Sequence, residues 1–539
     1  MQPNAGQTLS FQKISGHFLQ LITIVLFVLE TPLPAKPPPL PKINSDQAVK
    51  TKVFNVLSFG AKGDGNFPNT AAIQTAIDAV AMGGGGQLLF PKGRFLTGSV
   101  ILKSGVELCF QKNSVLLGST NPADYRGLNR WKALILADGQ TNISISGQGI
   151  IDGQGRQLAL NIDSLFHSGA LDPKDYNQRR KRPNENTRPQ ILEFVKCKNI
   201  RITGVTLKNS SCWVQTYDLC EEVLIDRIRV DSDAYWNNDG IDISDCKDVR
   251  ITRCLVNSAD DGICLKSHDP NHRNENIYIG DCTVRSSANA LKLGTASAGG
   301  FKNIRIENIR VHDTFRAAIA LESVDGGTLE DVHVDHLRAS NTGNAIFIRL
   351  GHRDTTDKIG VLRNVTIKNV HVQIPFDRPD ARYDLRGPEP GYFHNPFPCA
   401  IVGLPKRPVE NVRLENIKIS FPGRGNDGLA VLPLDRLKDV PEVESEYPEY
   451  SMFGELPAWG FYVRHVDGLK MKNVCLQARK KDFRPAIVFD EVKDLNLETV
   501  KTSKANDRSP VVLHHVIAKW IHNIIAPGFH GQLMQFVNE

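Results

Sequence analysis

Asn303-Ile-Arg-Ile-Glu-Asn-Ile-Arg-Val311 is one copy of a phrase that this chain repeats. It stands again at Lys198-Asn-Ile-Arg-Ile-Thr-Gly-Val-Thr-Leu207, Glu222-Val-Leu-Ile-Asp-Arg-Ile-Arg-Val230, Asp248-Val-Arg-Ile-Thr-Arg-Cys-Leu-Val256 and Asn276-Ile-Tyr-Ile-Gly-Asp-Cys-Thr-Val284. Further copies begin at Asn142, Asn364, Asn411, Gly468 and Asp494. Each opens on a polar turn, alternates apolar and polar side chains, and alternates again after a short break. Each half is too short for a helix and carries a period of two, so it reads as a short strand. Where best preserved, the copies recur every roughly 22–28 residues, a solenoid period. Leucine-rich repeats need a Leu-x-x-Leu-x-Leu frame that is absent, and propeller blades need longer periods. The expected fold is all-β, a parallel β-helix whose coils stack about 4.8 Å apart around an Ile and Val interior.

Upstream of the repeats the pattern changes. Asn69-Thr-Ala-Ala-Ile-Gln-Thr-Ala-Ile-Asp-Ala-Val80 has helical spacing at Ile73, Ile77 and Val80, with Asn69 or Thr70 as the expected cap. Such a helix would close the open end of the core, where strand edges are otherwise unpaired. Further upstream, the apolar run at residues 18–29 is shorter than the about 20 residues a spanning helix needs. With Ala35 near a small-residue cleavage site, it reads as a signal peptide, or alternatively as an N-terminal anchor. The expected organisation is therefore a leader at 1–35, a Pro-rich linker at 36–52, one catalytic β-helix at 53–530 and a tail at 531–539. The expected location is secreted, periplasmic or on the cell envelope. The net charge of +6 is small for 539 residues, and Lys and Arg are scattered, so no nucleic-acid partner is expected. No obligate protein partner is evident either. The ten cysteines form no CxxC pairs, so stacked buried thiols compete with disulfides and a zinc site has no support. No glycine-rich phosphate loop sits between a strand and a helix, so no organic cofactor is expected.

The chemistry concentrates on two successive coils. Asn237-Asn-Asp-Gly-Ile-Asp242 is followed about one repeat later by Asp260-Asp-Gly-Ile-Cys-Leu-Lys266. A solenoid brings such segments onto one face. Neighbouring carboxylates raise one another's proton affinity, so one can stay a protonated acid while another acts as a base. Tyr235 and Trp236, just upstream, offer rings to a sugar face. Asn-Asp-Gly is also a good turn former, and the same oxygens would suit calcium.

These motifs, Asn237-Asn-Asp-Gly240 and Asp260-Asp-Gly262, resemble those of family 28 of the glycoside hydrolases, the polygalacturonase family. Phe54-Asn-Val-Leu-Ser-Phe-Gly-Ala-Lys-Gly-Asp-Gly65 and Ile150-Ile-Asp-Gly-Gln-Gly155 resemble other segments of the same superfamily, and the similarity covers about residues 53 to 520. The resemblance implies a right-handed helix and an inverting hydrolase of pectic or related polysaccharides or oligosaccharides. In that scheme Asp260 is the general acid, Asp239 and Asp261 hold and activate water, and Asn237 orients the site. Two family motifs are missing. Where Gly-His-Gly and Arg-x-Lys are usual, this chain aligns Asn289, then Ala320 and Glu322. Those basic residues grip a galacturonate carboxylate in the family, so the sugar is open here. Candidate binding residues are Trp236, Asn237, Asp242, Lys266, Lys292, Arg349 and His352, with His268, Arg316 and Arg353 as further cations near the groove. Residues 160–187 and 375–398 read as long loops placed for substrate contact. The alternatives are a lyase using calcium with a Lys or Arg base, and a non-catalytic glycan-binding solenoid.

Overall fold

The computed structural model describes residues 52–353, 357–380, 395–425, 432–503 and 508–537. The leader and nearly all of the linker expected over residues 1–52 lie outside these. Each coil of the described chain contributes one strand to each of three parallel ladders. In the central coils the first ladder runs through Gln215–Asp218, Ile241–Ser244, Ile263–Ser267 and Leu291–Ser297. The second contains Glu221–Asp226, Lys247–Thr252 and Asn274–Gly280. The third contains Arg229–Ser232, Leu255–Ser258 and Thr283–Ser286. The fold is a right-handed parallel β-helix, as the repeat predicts.

The inward positions of the repeated phrase stack in register. Val223, Val249, Ile277, Ile304, Val332 and Val365 pair coil upon coil and are all buried. Each such aliphatic side chain contributes about 1.5–3 kcal/mol by leaving water. The Asn that opens the phrase turns the chain: Asn276, Asn303 and Asn364 all sit near φ +57°, at 59°, 55° and 57°. Asn tolerates that left-handed region better than other side-chain-bearing residues, and its amide bonds the coil before. Asn303 Nδ2 donates to Asn276 Oδ1 at 3.1 Å, and Asn276 Nδ2 to Asp248 Oδ1 at 3.0 Å. At the same position Gly468 (φ 81°) needs no such tolerance.

Helix α1, Thr70–Met82, buries Ile73, Ala76, Ile77 and Val80 against the open end of the core. Asn69 occupies the cap position but makes no side-chain cap bond. Its amide instead staples the entry loop, accepting from Lys62 N at 2.6 Å and donating to Phe67 O at 2.8 Å. All ten cysteines are free thiols. Those at the repeat corners stack, with Cys220 N donating to Cys246 Sγ at 3.3 Å. The last strand, Met534–Val537, still pairs with Val511–His514, so the helix continues past the boundary at residue 530 expected from the sequence. No helix among the described residues is long and apolar enough to cross a membrane.

Candidate active site

The two Asp-Gly turns lead into the first-ladder strands Ile241–Ser244 and Ile263–Ser267, and they stack. Gly240 N donates to Asp261 O at 2.9 Å, and Gly262 N to Asn289 O at 2.8 Å. Glycine is required by the contact: a Cβ on Gly240 would lie 2.5 Å from Gly262 O, and one on Gly262 2.7 Å from Ala290 O. This register pairs Asp239 with Asp261, and Asp261 with Asn289. The sequence spacing suggested Asp239 over Asp260; Asp260 instead stands one residue earlier in the same turn, beside the stacked pair. A cleft of about 1270 Å³ opens over these turns, and Asp239, Asp260 and Asp261 all line it.

The three carboxyls differ in their partners. Asp261 accepts from Asn289 N at 3.0 Å and Asn289 Nδ2 at 2.9 Å, and Lys292 Nζ lies 3.1 Å away. Burial would raise its pKa, but Lys292, Lys266, Arg316 and the Asn289 N–H outweigh it and hold it at about 2. Asp260 has only the Asp261 N–H on its carboxyl, at 2.9 Å. Burial first, and then the adjacent Asp261 charge, push it above the usual carboxylate range against the pull of Arg316 and Lys292. Asp239 and Asp242 share one ammonium: Lys266 Nζ donates to Asp239 Oδ2 at 2.8 Å and also to Asp242. Burial raises both, Asp242 to about 6, because one cation cannot compensate two buried carboxylates. Lys266 in turn is held protonated by the pair and lies 4.1 Å from the centroid of the Trp213 ring.

Of the sequence candidates, Trp236, Asn237, Lys266 and Lys292 also stand on the cleft wall, as do His268, Arg316 and Arg353. His268 is a neutral imidazole, held near 3 by burial and then by Arg130 and Lys266. Three candidates are placed elsewhere. Asp242 is 0% exposed and lies beneath the wall, committed to Lys266. Arg349, also 0% exposed, donates to the carbonyls of Gly403, Glu442 and Val443. His352 has its backbone N–H on Glu444 O at 2.7 Å and does not line the cleft. Both sit under a strap, residues 440–451, and fix its course. Tyr235 is buried with Arg188 over its ring, and offers no face to the cleft.

Residues that the sequence reading missed complete the site. The strap brings Tyr447 and Glu449 over the acids: Lys292 Nζ donates to Tyr447 Oη at 3.0 Å, and Arg316 pairs with Glu449 at 2.5 Å. Arg188, 0% exposed, donates to Ser211 O, Trp236 O and Asn237 Oδ1 and so holds the turn before Asp239. Asn238 staples the same turn from within, donating to Ser210 O and Cys212 O. The loop at 160–187 reaches the cleft with Arg179, Arg180, Arg182 and Glu185, and Arg182 lies 4.8 Å from the centroid of the Trp236 ring. The described part of 375–398 does not line this cleft; residues 381–394 lie outside the described residues. Where the family carries His, Asn289 holds Asp261. Glu322, aligned with the family's Lys, is buried beside Lys292 at 3.8 Å and accepts from Thr295 Oγ1 at 3.0 Å.

The oxygens of Asp239 and Asp261 and the sulfur of Cys264 lie within 4.8 Å of one another, a grouping that would suit a metal ion. The ammonium groups of Lys266 and Lys292 already compensate these carboxylates, so the donor set is a poor fit for a further cation.

The sequence profile described as glycosyl hydrolases family 28 matches residues 83–373, which include both Asp-Gly turns, Asn289 and Arg316. A Vitis vinifera protein named "Probable polygalacturonase" is 28% identical over 338 residues, 59% of this chain and 59% of that protein. The chain thus spans under two thirds of that relative's length. A Zea mays exopolygalacturonase is 23% identical over 399 residues, 70% of this chain and 86% of its own. Among solved structures, the family 28 exopolygalacturonase of Yersinia enterocolitica superposes with a TM-score of 0.60 at 18% identity, covering 84% of this chain and 78% of that one. At that identity the likeness speaks for the fold alone. Because the profile covers more than half of the residues, this chain belongs to family 28 of the glycosyl hydrolases.

Proposed function

We propose that this protein hydrolyses O-glycosidic bonds in an acidic, pectin-type polysaccharide with inversion at the anomeric carbon. The observation that carries the reading is the opposite tuning of two adjacent carboxyls, Asp260 raised and Asp261 held at about 2. Glycoside hydrolysis needs one protonated acid for the leaving oxygen and one ionised base for water. Asp260 fills the first role. Asp261 fills the second, with Asp239 close enough for a single water to touch both. The proton then moves from Asp260 to the departing sugar oxygen, and a water proton to Asp261.

The family's Arg-x-Lys is absent, but cations return from other elements. Arg316 and Lys292 stand at the acids, and Arg130, Arg179, Arg180 and Arg353 line the walls. Uronate carboxylates therefore have partners in this cleft. The lyase alternative fares worse, since its Lys base would have to be neutral and the carboxylates hold Lys266 and Lys292 protonated. Export, proposed from the apolar run at residues 18–29, would place the enzyme where such polymers occur; fractionating cells that express the full chain tests it.

The experiment is a panel of pectic and neutral polysaccharides assayed for new reducing ends and ultraviolet absorbance together. Reducing ends without absorbance, on acidic substrates, are expected. Calcium-dependent absorbance from an unsaturated product would contradict hydrolysis, and preference for neutral glycans would contradict the acidic substrate.

A further inference from the structure

The outer faces of the second and third ladders solve the same electrostatic problem in different ways. On the second ladder Lys198, Glu221, Lys247, Glu275, Lys302, Glu330, Arg363 and Glu410 stack in register and alternate in sign coil by coil. Neighbours pair, as Lys198 with Glu221 at 3.1 Å and Lys302 with Glu330 at 3.0 Å. Opposite charges across adjacent strands stabilise a sheet and like charges destabilise it.

The third ladder does not alternate. Arg310 pairs with Arg338, Arg338 with His371, His371 with Lys418, Lys418 with Cys475 and Cys475 with Lys501. All but Cys475 are exposed. The result is a file of cationic and imidazole side chains about 4.8 Å apart along the helix axis. Arg310, Arg338, Lys418 and Lys501 have no ion pair among the described residues, whereas most cations of the second ladder do. Beside the file, two residues further along each strand, runs a neutral polar row of Ser340, Gln373, Ser420 and Gln477.

We infer that this outer face, from Arg310 to Lys501, is a second, non-catalytic surface that binds a linear polyuronate along the helix axis. The uncompensated cations meet carboxylates, and the neighbouring hydroxyls and amides meet sugar hydroxyls. A single file flanked by neutral groups suits a chain bearing about one charge per sugar. It suits duplex DNA less well, because DNA carries one charge per about 1.7 Å of axis. A single-stranded nucleic acid would want aromatic platforms, and neither row holds one. The surface belongs to a different ladder from the cleft, so it would retain a polymer while the cleft acts on it. Only the choice of uronate as occupant rests on the proposed substrate.

The test uses the full chain carrying Asp260→Asn, so that a bound polymer is not consumed, and measures binding to polygalacturonate at low salt. Arg338→Glu with Lys418→Glu is expected to weaken binding about tenfold, as reversals turn attraction into repulsion. Lys247→Glu with Lys302→Glu, an identical change in net charge on the alternating row, is expected to leave it within about twofold. Equal effects of the two pairs, or none from the first, would overturn the proposal. So would tighter binding of duplex DNA, or equal binding of a neutral polysaccharide. If thermal unfolding shows that the reversals disturb the fold, Arg338→Gln with Lys418→Gln reads the same loss at smaller amplitude. Binding is scored without turnover, so a wild type that fails to cleave polyuronate would sink the catalytic reading and leave this result standing.

Discussion

Asp260 and Asp261 are bonded neighbours with opposite assignments, and their partners make the difference. Asp261 has an amide, an N–H and an ammonium; Asp260 has one N–H and a like charge beside it. Activity should therefore fall as pH rises through the elevated pKa of Asp260, where the acid loses its proton. Arg316 favours the ionised form of Asp260, so Arg316→Gln should raise that pKa and move the alkaline limb of kcat to higher pH. A limb that stays or moves down would assign it to another group. The three acids were legible because Asp-Gly turns one repeat apart must stack in a solenoid. Their pairing was not: whether Asp260 or Asp261 lies over Asp239 depends on a single residue of register, which Gly240 and Gly262 fix through backbone contacts. Asn289, which looked like a loss, holds the base.

At the level of elements, the strap at 440–451 supplies what no repeat could announce. It carries Tyr447 and Glu449 to the acids, and first-ladder arginines hold it from below. Arg464 donates to Val440 O at 2.8 Å and pairs with Glu442 at 3.0 Å, while Arg349 takes the carbonyls of Glu442 and Val443. Arg349 read as a groove cation because its strand position faces outward; the strap that covers it has no periodicity to predict it. Arg349→Met should orphan those carbonyls, at about 1–3 kcal/mol each, and loosen the strap. The expected outcome is lower thermal stability, proteolytic nicking within 440–451, and reduced kcat/KM. Unchanged nicking would show that the strap is held by other contacts. Tyr447→Phe removes only the bond to Lys292 and should lower kcat/KM without changing the melting temperature. The loop at 160–187 was legible as a substrate loop from its length and basic run, whereas the anchor Arg188, 48 residues from Trp236, was not.

Over the whole molecule, the periodic phrase was the most readable feature because every coil repeats one local solution: a left-handed Asn, an inward aliphatic file and outward polar rows. Stability should accordingly be near-additive along the axis. Ile304→Ala would leave a cavity between Ile277 and Val332 and should cost about 2–5 kcal/mol, read from denaturant unfolding. A cost below about 1 kcal/mol would mean that the coils collapse around the gap. What the repeat could not convey is where the helix is interrupted, since the insertions obey tertiary contacts rather than period.

The most direct test of the division between acid and base compares Asp260→Asn and Asp261→Asn on two substrates, the natural polymer and an aryl glycoside of the same sugar whose leaving group needs no proton. On the polymer both variants should lose about 10²–10⁴-fold in kcat. On the aryl glycoside Asp260→Asn should recover most of its rate, while Asp261→Asn stays slow. Recovery by Asp261→Asn instead, or by neither, would contradict Asp260 as the proton donor.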